Sequence, residues 1–76
     1  MAKSKRPEAV YIIHEAGEGN VTGKAYGSPA ACVLAIRNTF PAVGLGEATV
    51  AVVDGEVMNP HGHGEVFVVT LPVEYL

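Results

Sequence analysis

The sequence predicts one small α+β domain, in which a single helix packs on one face of an antiparallel sheet of four to five strands, in the order ββαβββ. Three observations favour this architecture. Short runs of β-branched and aromatic residues are typical of strands, one Ser-Pro pair marks the only clear helix start, and 76 residues suffice for one domain. Residues 1–7 are expected to form a flexible basic tail, and residues 8–76 the domain.

The first two strands are expected to form a β-hairpin. Residues 9–15, Ala-Val-Tyr-Ile-Ile-His-Glu, are apolar on both faces of an extended chain, which is typical of a central or covered strand. Gly17 and Gly19 would then reverse the chain. Residues 21–26 would return as the second strand, although Gly23 weakens it.

The only predicted helix begins at Ser28 and ends near residue 40. Ser28 is a preferred N-cap, Pro29 suits the first helical position, and Pro41 disfavours helical geometry in the residue before it. At 100° per residue, the apolar side that should pack on the sheet contains Cys32, Val33, Ile36 and Phe40. Leu34 and Arg37 fall on the opposite side, among small and polar residues.

The remaining strands are predicted over residues 48–53, 56–58 and 65–71. Asp54-Gly55 is a strong signal for a type I′ hairpin turn, because both central positions of that turn need positive φ. Residues 59–64 would form a loop. Pro72 removes a ladder donor and would place the last residues on an edge or off the sheet.

These strands carry more apolar surface than one helix can cover. A helix of about a dozen residues is ~18 Å long, which covers one face of such a sheet. The other face would close into a partial barrel, pair with a second copy, or bind another protein through the face or an edge strand. A partner at this second face is therefore expected.

Charge is distributed unevenly along the chain. Lys3, Lys5 and Arg6 give the tail a charge of +3, whereas the rest contains eight acids against Lys24 and Arg37, which gives −6. An acidic domain repels a phosphate backbone, so the folded part is not expected to bind nucleic acid directly. The same charge permits attraction to a basic protein surface.

Sequence motifs supply no cofactor site. The segment from Gly17 to Lys24 departs from a phosphate-binding loop, since Glu18 and Ala25 stand where glycine and Ser or Thr are needed. The single Cys32 excludes a disulfide framework and is expected to be a buried, unreactive thiol. With no apolar run of membrane-spanning length and no signal peptide, we expect a cytoplasmic protein that binds no membrane.

The cluster His61-Gly62-His63 is the one candidate for metal chemistry. Two imidazoles separated by one residue project to the same side of an extended chain, and His14 would supply a third nitrogen. Histidine nitrogens with one open position are typical of a zinc site. The alternative interpretation is a connecting loop whose polar side chains happen to be histidines.

The overall profile is very short, with an acidic domain, one predicted helix and no catalytic motif. It resembles, in size and charge, that of small phage-encoded inhibitors of host defence complexes, including anti-CRISPR proteins. The resemblance implies a non-enzymatic protein-binding module whose acidic face blocks a basic nucleic-acid-binding surface. The candidate partner-binding residues are Glu15, Glu18, Leu34, Arg37, Asp54, Glu56 and Glu65.

Two other functions are compatible with the sequence. The first is a small homo-oligomer with a structural or metal-binding role, in which a second copy covers the apolar face. The second is a small oligomeric enzyme whose site lies between subunits, because a core of this size has little room to enclose a substrate.

Overall fold

A computed structural model describes residues 8–74. Its elements, in chain order, are β1 (Ala9–Glu15), β2 (Gly19–Asn20), α1 (Pro29–Thr39), α2 (Leu45–Asp54) and β3 (Val66–Pro72). The strands form one antiparallel sheet in the order β2-β1-β3. α1 contacts β1 and α2 contacts β3, so the molecule has a helical layer on one face of a small sheet. The tail predicted at residues 1–7 lies outside the described residues.

The prediction of four to five strands with one helix in the order ββαβββ is wrong. The described chain has three strands and two helices in the order ββααβ. The main error concerns residues 48–53, which belong to α2 and not to a strand. Ala48, Ala51 and Val52 are buried at i, i+3 and i+4, which is a helical period. Packing of this side against α1 overrides the strand propensity of the valines.

The predicted hairpin turn at Asp54-Gly55 is instead the C-terminal end of α2. Gly55 has φ 74° in the left-handed region, and its N–H donates to the carbonyl of Ala51 at 3.1 Å. A helix C-cap and a type I′ turn both require positive φ, which glycine adopts without steric cost. The same dipeptide therefore marks either structure, and only the preceding residues distinguish them.

The second predicted strand is reduced to a two-residue β2. Beyond it, the Asn20 side chain holds a loop, since Oδ1 accepts from the Gly23 N–H at 2.9 Å and Nδ2 donates to the Lys24 carbonyl at 3.3 Å. Such side-chain bonds to the backbone compete with strand pairing. Within residues 21–26, the Val21 N–H donates to the Ile13 carbonyl at 3.1 Å, and Tyr26 bridges to Tyr11 in β1 through two backbone hydrogen bonds, of 2.8 and 2.9 Å.

The predicted helix is confirmed as α1. Ser28 is its N-cap, with Oγ accepting from the Ala31 N–H at 3.2 Å, and the helix ends before Phe40, whose N–H donates to the Ile36 carbonyl. Of the side predicted to face the core, Cys32, Ile36 and Phe40 are buried and Val33 is partly buried, whereas Leu34 on the other side is exposed. Residues at the two ends of α1 determine its length: Ser28 caps the N-terminus, and the Phe40-Pro41 step ends the helix.

The long strands also match the sequence. β1 covers the predicted residues, and β3 is displaced by one residue from the predicted 65–71. The short strand predicted at residues 56–58 is only a bridge, in which Met58 and Val66 exchange backbone hydrogen bonds of 2.7 and 2.8 Å. β3 is an edge strand among the described residues, which explains why it tolerates Pro72.

One hydrophobic core lies between the sheet and the helices. Ile13 and Val66 come from the sheet, and they pack with Cys32 and Ile36 of α1 and with α2. Val68 and Tyr11 add partly buried surface on the same side. Within residues 8–74, no helix is long and apolar enough to span a membrane.

Candidate protein-interaction site

The sheet has a second apolar face that neither helix covers. Cross-strand pairing between β1 and β3 places six residues there, in the pairs Val10–Leu71, Ile12–Val69 and His14–Phe67. We call these six residues the outer sheet face. They alternate along the strands with Ile13, Val66 and Val68, which face the core. The expectation that the strands are apolar on both sides is met in β1 and β3.

One end of the outer sheet face carries an aromatic pair. The rings of His14 and Phe67 are stacked, with centroids 5.6 Å apart and planes inclined by 26°. Both side chains are only partly buried, so their rings form a flat platform beside solvent. At the other end Leu71 is 45% exposed. Flat aromatic and aliphatic surface of this kind is enriched at the centres of protein interfaces.

Three of the predicted acidic residues lie at the end of the sheet next to this platform. Glu15 ends β1, and its carbonyl accepts from the Glu18 N–H at 2.9 Å. The carbonyl of Glu65 accepts from the Ala16 N–H at 2.8 Å, which places Glu65 at the same end. The opposite end of the sheet also has acids, because the Val73 N–H donates to the Glu8 carbonyl at 3.0 Å and Glu74 follows.

The other predicted partner-binding residues lie elsewhere. Asp54 and Glu56 flank Gly55 at the C-terminal end of α2. Leu34 and Arg37 line an open groove of about 400 Å³ between the two helices, which we call the interhelical groove. Its lining comprises Pro29, Ala30, Val33, Leu34, Arg37, Leu45, Thr49 and Val53. The structure thus divides the predicted set among three places, and the outer sheet face adds apolar residues that the set did not contain.

The histidines predicted to share a metal point to different surroundings. His63 Nδ1 lies 3.8 Å from Oε1 of Glu15, and its ring packs edge-on against Phe40 with centroids 4.9 Å apart. Oε2 of Glu15 also accepts from the Gly64 N–H at 3.2 Å, so this carboxylate fastens the loop to the sheet. His14 stacks on Phe67 on the outer sheet face, and His61 is exposed in the loop.

A metal centre is therefore not assembled in the part of the chain that the structure describes. No group of three or more His, Cys, Asp or Glu side chains in residues 8–74 is arranged to hold a metal ion. The contact between Glu15 and His63 was not foreseen, because the two residues are 48 positions apart and no local pattern joins them. Its consequence is structural: the loop that contains the histidines is held at the acidic end of the sheet.

Cys32 is buried in the core, as expected of an unreactive thiol. Desolvation by burial raises the pKa of this thiol to about 11, so the nucleophilic thiolate is scarce at neutral pH. The side chain contributes apolar packing to α1 and the sheet rather than chemistry.

We predict that, at pH 8, Cys32 of the folded protein reacts with Ellman's reagent at least about a hundredfold more slowly than an exposed cysteine. The reason is that a thiol pKa two units higher lowers the fraction of reactive thiolate by about that factor. The double variant Cys32→Ala/Ala31→Cys is a matched control, since Ala31 is exposed on the same helix. Both proteins should react at the same rate in concentrated urea. Equal rates without urea would contradict the burial of Cys32.

Comparisons of the chain with models of protein families, with curated proteins and with solved structures found no match.

Proposed function

We propose that this protein is a non-enzymatic protein-binding module, and that it binds its partner through the outer sheet face. The observation that carries the proposal is the placement of both helices on one side of a sheet whose other side is also apolar. Contiguous apolar surface on a small domain is costly in water and marks interaction sites. On the same sequence grounds as above, we propose the cytoplasm as its compartment.

Charge favours a partner with a basic surface. Acidic residues lie at both ends of the sheet, Glu18 and Glu65 at one end and Glu8 at the other, whereas the Glu15 carboxylate is held by the Gly64 N–H on the core-facing side. The two bases of the described chain lie away from the outer sheet face, Arg37 on α1 and Lys24 in the loop that follows β2. An apolar centre with a charged rim is the usual anatomy of a protein interface. An acidic rim accelerates and orients association with a basic protein. We therefore retain the hypothesis of an inhibitor that blocks a basic nucleic-acid-binding surface. The outer sheet face would form the apolar centre of that contact.

Self-association through the same face is the alternative. It would bury the same apolar side chains, but each copy brings a domain of net charge −6, as eight acids and two bases follow residue 7. Like charges at the rims of two stacked sheets repel one another, and the repulsion grows as salt is removed. A basic partner of different sequence satisfies both the apolar face and its charged rim.

The proposal is tested by capturing the partner from cells of the source organism, purifying it, and measuring the dissociation constant with variants of the outer sheet face. Val69→Thr and Leu71→Thr both place a β-branched, strand-compatible threonine on the strand and remove apolar contact. We expect the double variant to bind at least about tenfold more weakly, as for the loss of a central interface contact. Raising salt from about 0.05 to 0.5 M should weaken the wild-type complex as the acidic rim is screened.

The matched control is Val57→Thr, since Val57 is 49% exposed but lies on neither the outer sheet face nor the interhelical groove. It should leave the affinity unchanged. Equal binding by the Val69→Thr/Leu71→Thr protein would contradict the proposal. Sedimentation separates the alternative: a mass that doubles with concentration, and returns to the monomer value in the double variant, would identify a homodimer instead.

A further inference from the structure

The three most exposed large apolar side chains of residues 8–74 lie together on the helical layer. Val53 is 68% exposed, Leu34 61% and Leu45 58%, and all three line the interhelical groove. A single exposed leucine needs no explanation, but a cluster of such side chains along one groove does. This cluster lies on the opposite side of the molecule from the outer sheet face, because the helices separate the two surfaces.

The length and residue spacing of the two groove walls indicate which conformation of a partner segment would fit between them. α1 has 11 residues and α2 has 10, so each wall is about 15 Å long, or three helical turns. The lining residues on each wall recur one turn apart, as Ala30 and Leu34 do on α1 and Leu45, Thr49 and Val53 do on α2, and all but Thr49 of these five are apolar. An amphipathic helix with apolar residues at i, i+3 or i+4, and i+7 matches this spacing, which is the helix-in-groove mode of recognition.

Arg37 determines the charge of the occupant. It is the one charged residue lining the groove, and within residues 8–74 it forms no salt bridge. A guanidinium binds a carboxylate through two parallel hydrogen bonds, which adds orientation as well as affinity. The helix that fits the groove should therefore carry Asp or Glu beside its apolar stripe, at the end that reaches Arg37.

A second copy of this chain does not meet that requirement. If two interhelical grooves face each other, Arg37 meets no carboxylate of the facing groove, because none of the lining residues is acidic. Removing the guanidinium from water without a carboxylate would oppose such a dimer. An acidic helix from another protein supplies the missing charge.

We propose that the interhelical groove is a second docking site, which binds an amphipathic helix of another protein through an apolar stripe and one carboxylate paired with Arg37. This inference rests on residues that differ from those of the outer sheet face, so the two proposals succeed or fail separately.

The test is a selection from a surface-displayed library of randomised 18-residue helical peptides against the 76-residue chain. We expect the selected peptides to share apolar residues at i, i+3 or i+4, and i+7, with Asp or Glu at one end. Fluorescence anisotropy with a labelled selected peptide should show at least about tenfold weaker binding to Leu34→Ser and to Leu45→Ser. Val69→Thr, on the outer sheet face, should bind the peptide like the unmodified protein.

The role of Arg37 is tested by exchanging charges. Arg37→Gln should weaken binding about three- to fivefold, in the range of a partly exposed ion pair, and replacing the peptide's acid with glutamine should have no further effect on that variant. Arg37→Glu should recover affinity for a peptide whose acid is replaced by lysine. Selection of no binder, of peptides without an acid, or of peptides that bind both serine variants normally would overturn the proposal, as would a dimer that Leu34→Ser dissociates.

Discussion

Replacing Ile36 with alanine should lower the free energy of unfolding by about 2–5 kcal/mol. Ile36 is 0% exposed and belongs to the core cluster that α1 forms with the sheet. Its removal loses the transfer free energy of the buried methyl groups and leaves a cavity that the neighbours fill only in part. A domain of this length has a total stability of roughly 4–11 kcal/mol, so the loss is a large fraction of it.

The matched control is Leu34→Ala, two positions earlier in the same helix. Leu34 is 61% exposed, and alanine is a good helix former, so the change in unfolding free energy should stay within about 0.5 kcal/mol. Urea titration followed by circular dichroism measures both variants. Similar losses for Ile36→Ala and Leu34→Ala would contradict the placement of the helix on the sheet.

Thr49→Pro should cost about 3 kcal/mol or more, and it tests the largest correction to the sequence prediction. Thr49 lies in the interior of α2, and its Oγ1 donates to the Leu45 carbonyl at 2.7 Å. Proline at this position removes a backbone donor, and its ring collides with the carbonyl four residues earlier. Thermal and urea unfolding measure the loss of stability.

The companion variant Thr49→Ala distinguishes a helix from a strand by the sign of its effect. Thr49 is exposed, and alanine has the higher helix propensity, so stability should rise by a few tenths of a kcal/mol, up to about 0.5 kcal/mol. In a strand the same substitution would lower stability, because threonine is the better strand former. A destabilised Thr49→Ala protein would therefore support the strand and contradict α2.

The two proposed binding surfaces lie on opposite sides of the domain and differ in the charges beside their apolar residues. The outer sheet face has an apolar centre between acidic ends, whereas the interhelical groove has one base among apolar side chains. We therefore propose a basic protein surface as the partner of the first and an acidic helix as the partner of the second. Because the hydrophobic core lies between them, a polar substitution at an exposed position of one surface should leave binding at the other unchanged.

Several elements could be predicted from local sequence because their signals are local. Ser28 caps α1, the Phe40-Pro41 step ends it, and the β-branched run at residues 9–15 becomes β1. The exposed Leu34 and Arg37 were likewise assigned to the outer side of α1 from helical periodicity alone. The groove that they line does not follow from local sequence, because its other wall is α2, whose valine-rich residues favour a strand by local propensity.

The amino-acid sequence by itself determined the segments whose signals lie within a few residues: α1, β1, β3, and the apolar character of both faces of the two long strands. Only the tertiary structure decided the state of residues 48–53, because a valine-rich run ending in Asp-Gly suits a strand and its turn as well as a helix and its cap. Burial of Ala48, Ala51 and Val52 against α1 selected the helix. That choice placed both helices on one side of the sheet and left the outer sheet face uncovered by either helix. The physical reason is that contacts between residues far apart in sequence determine which apolar surface a short chain can cover for itself.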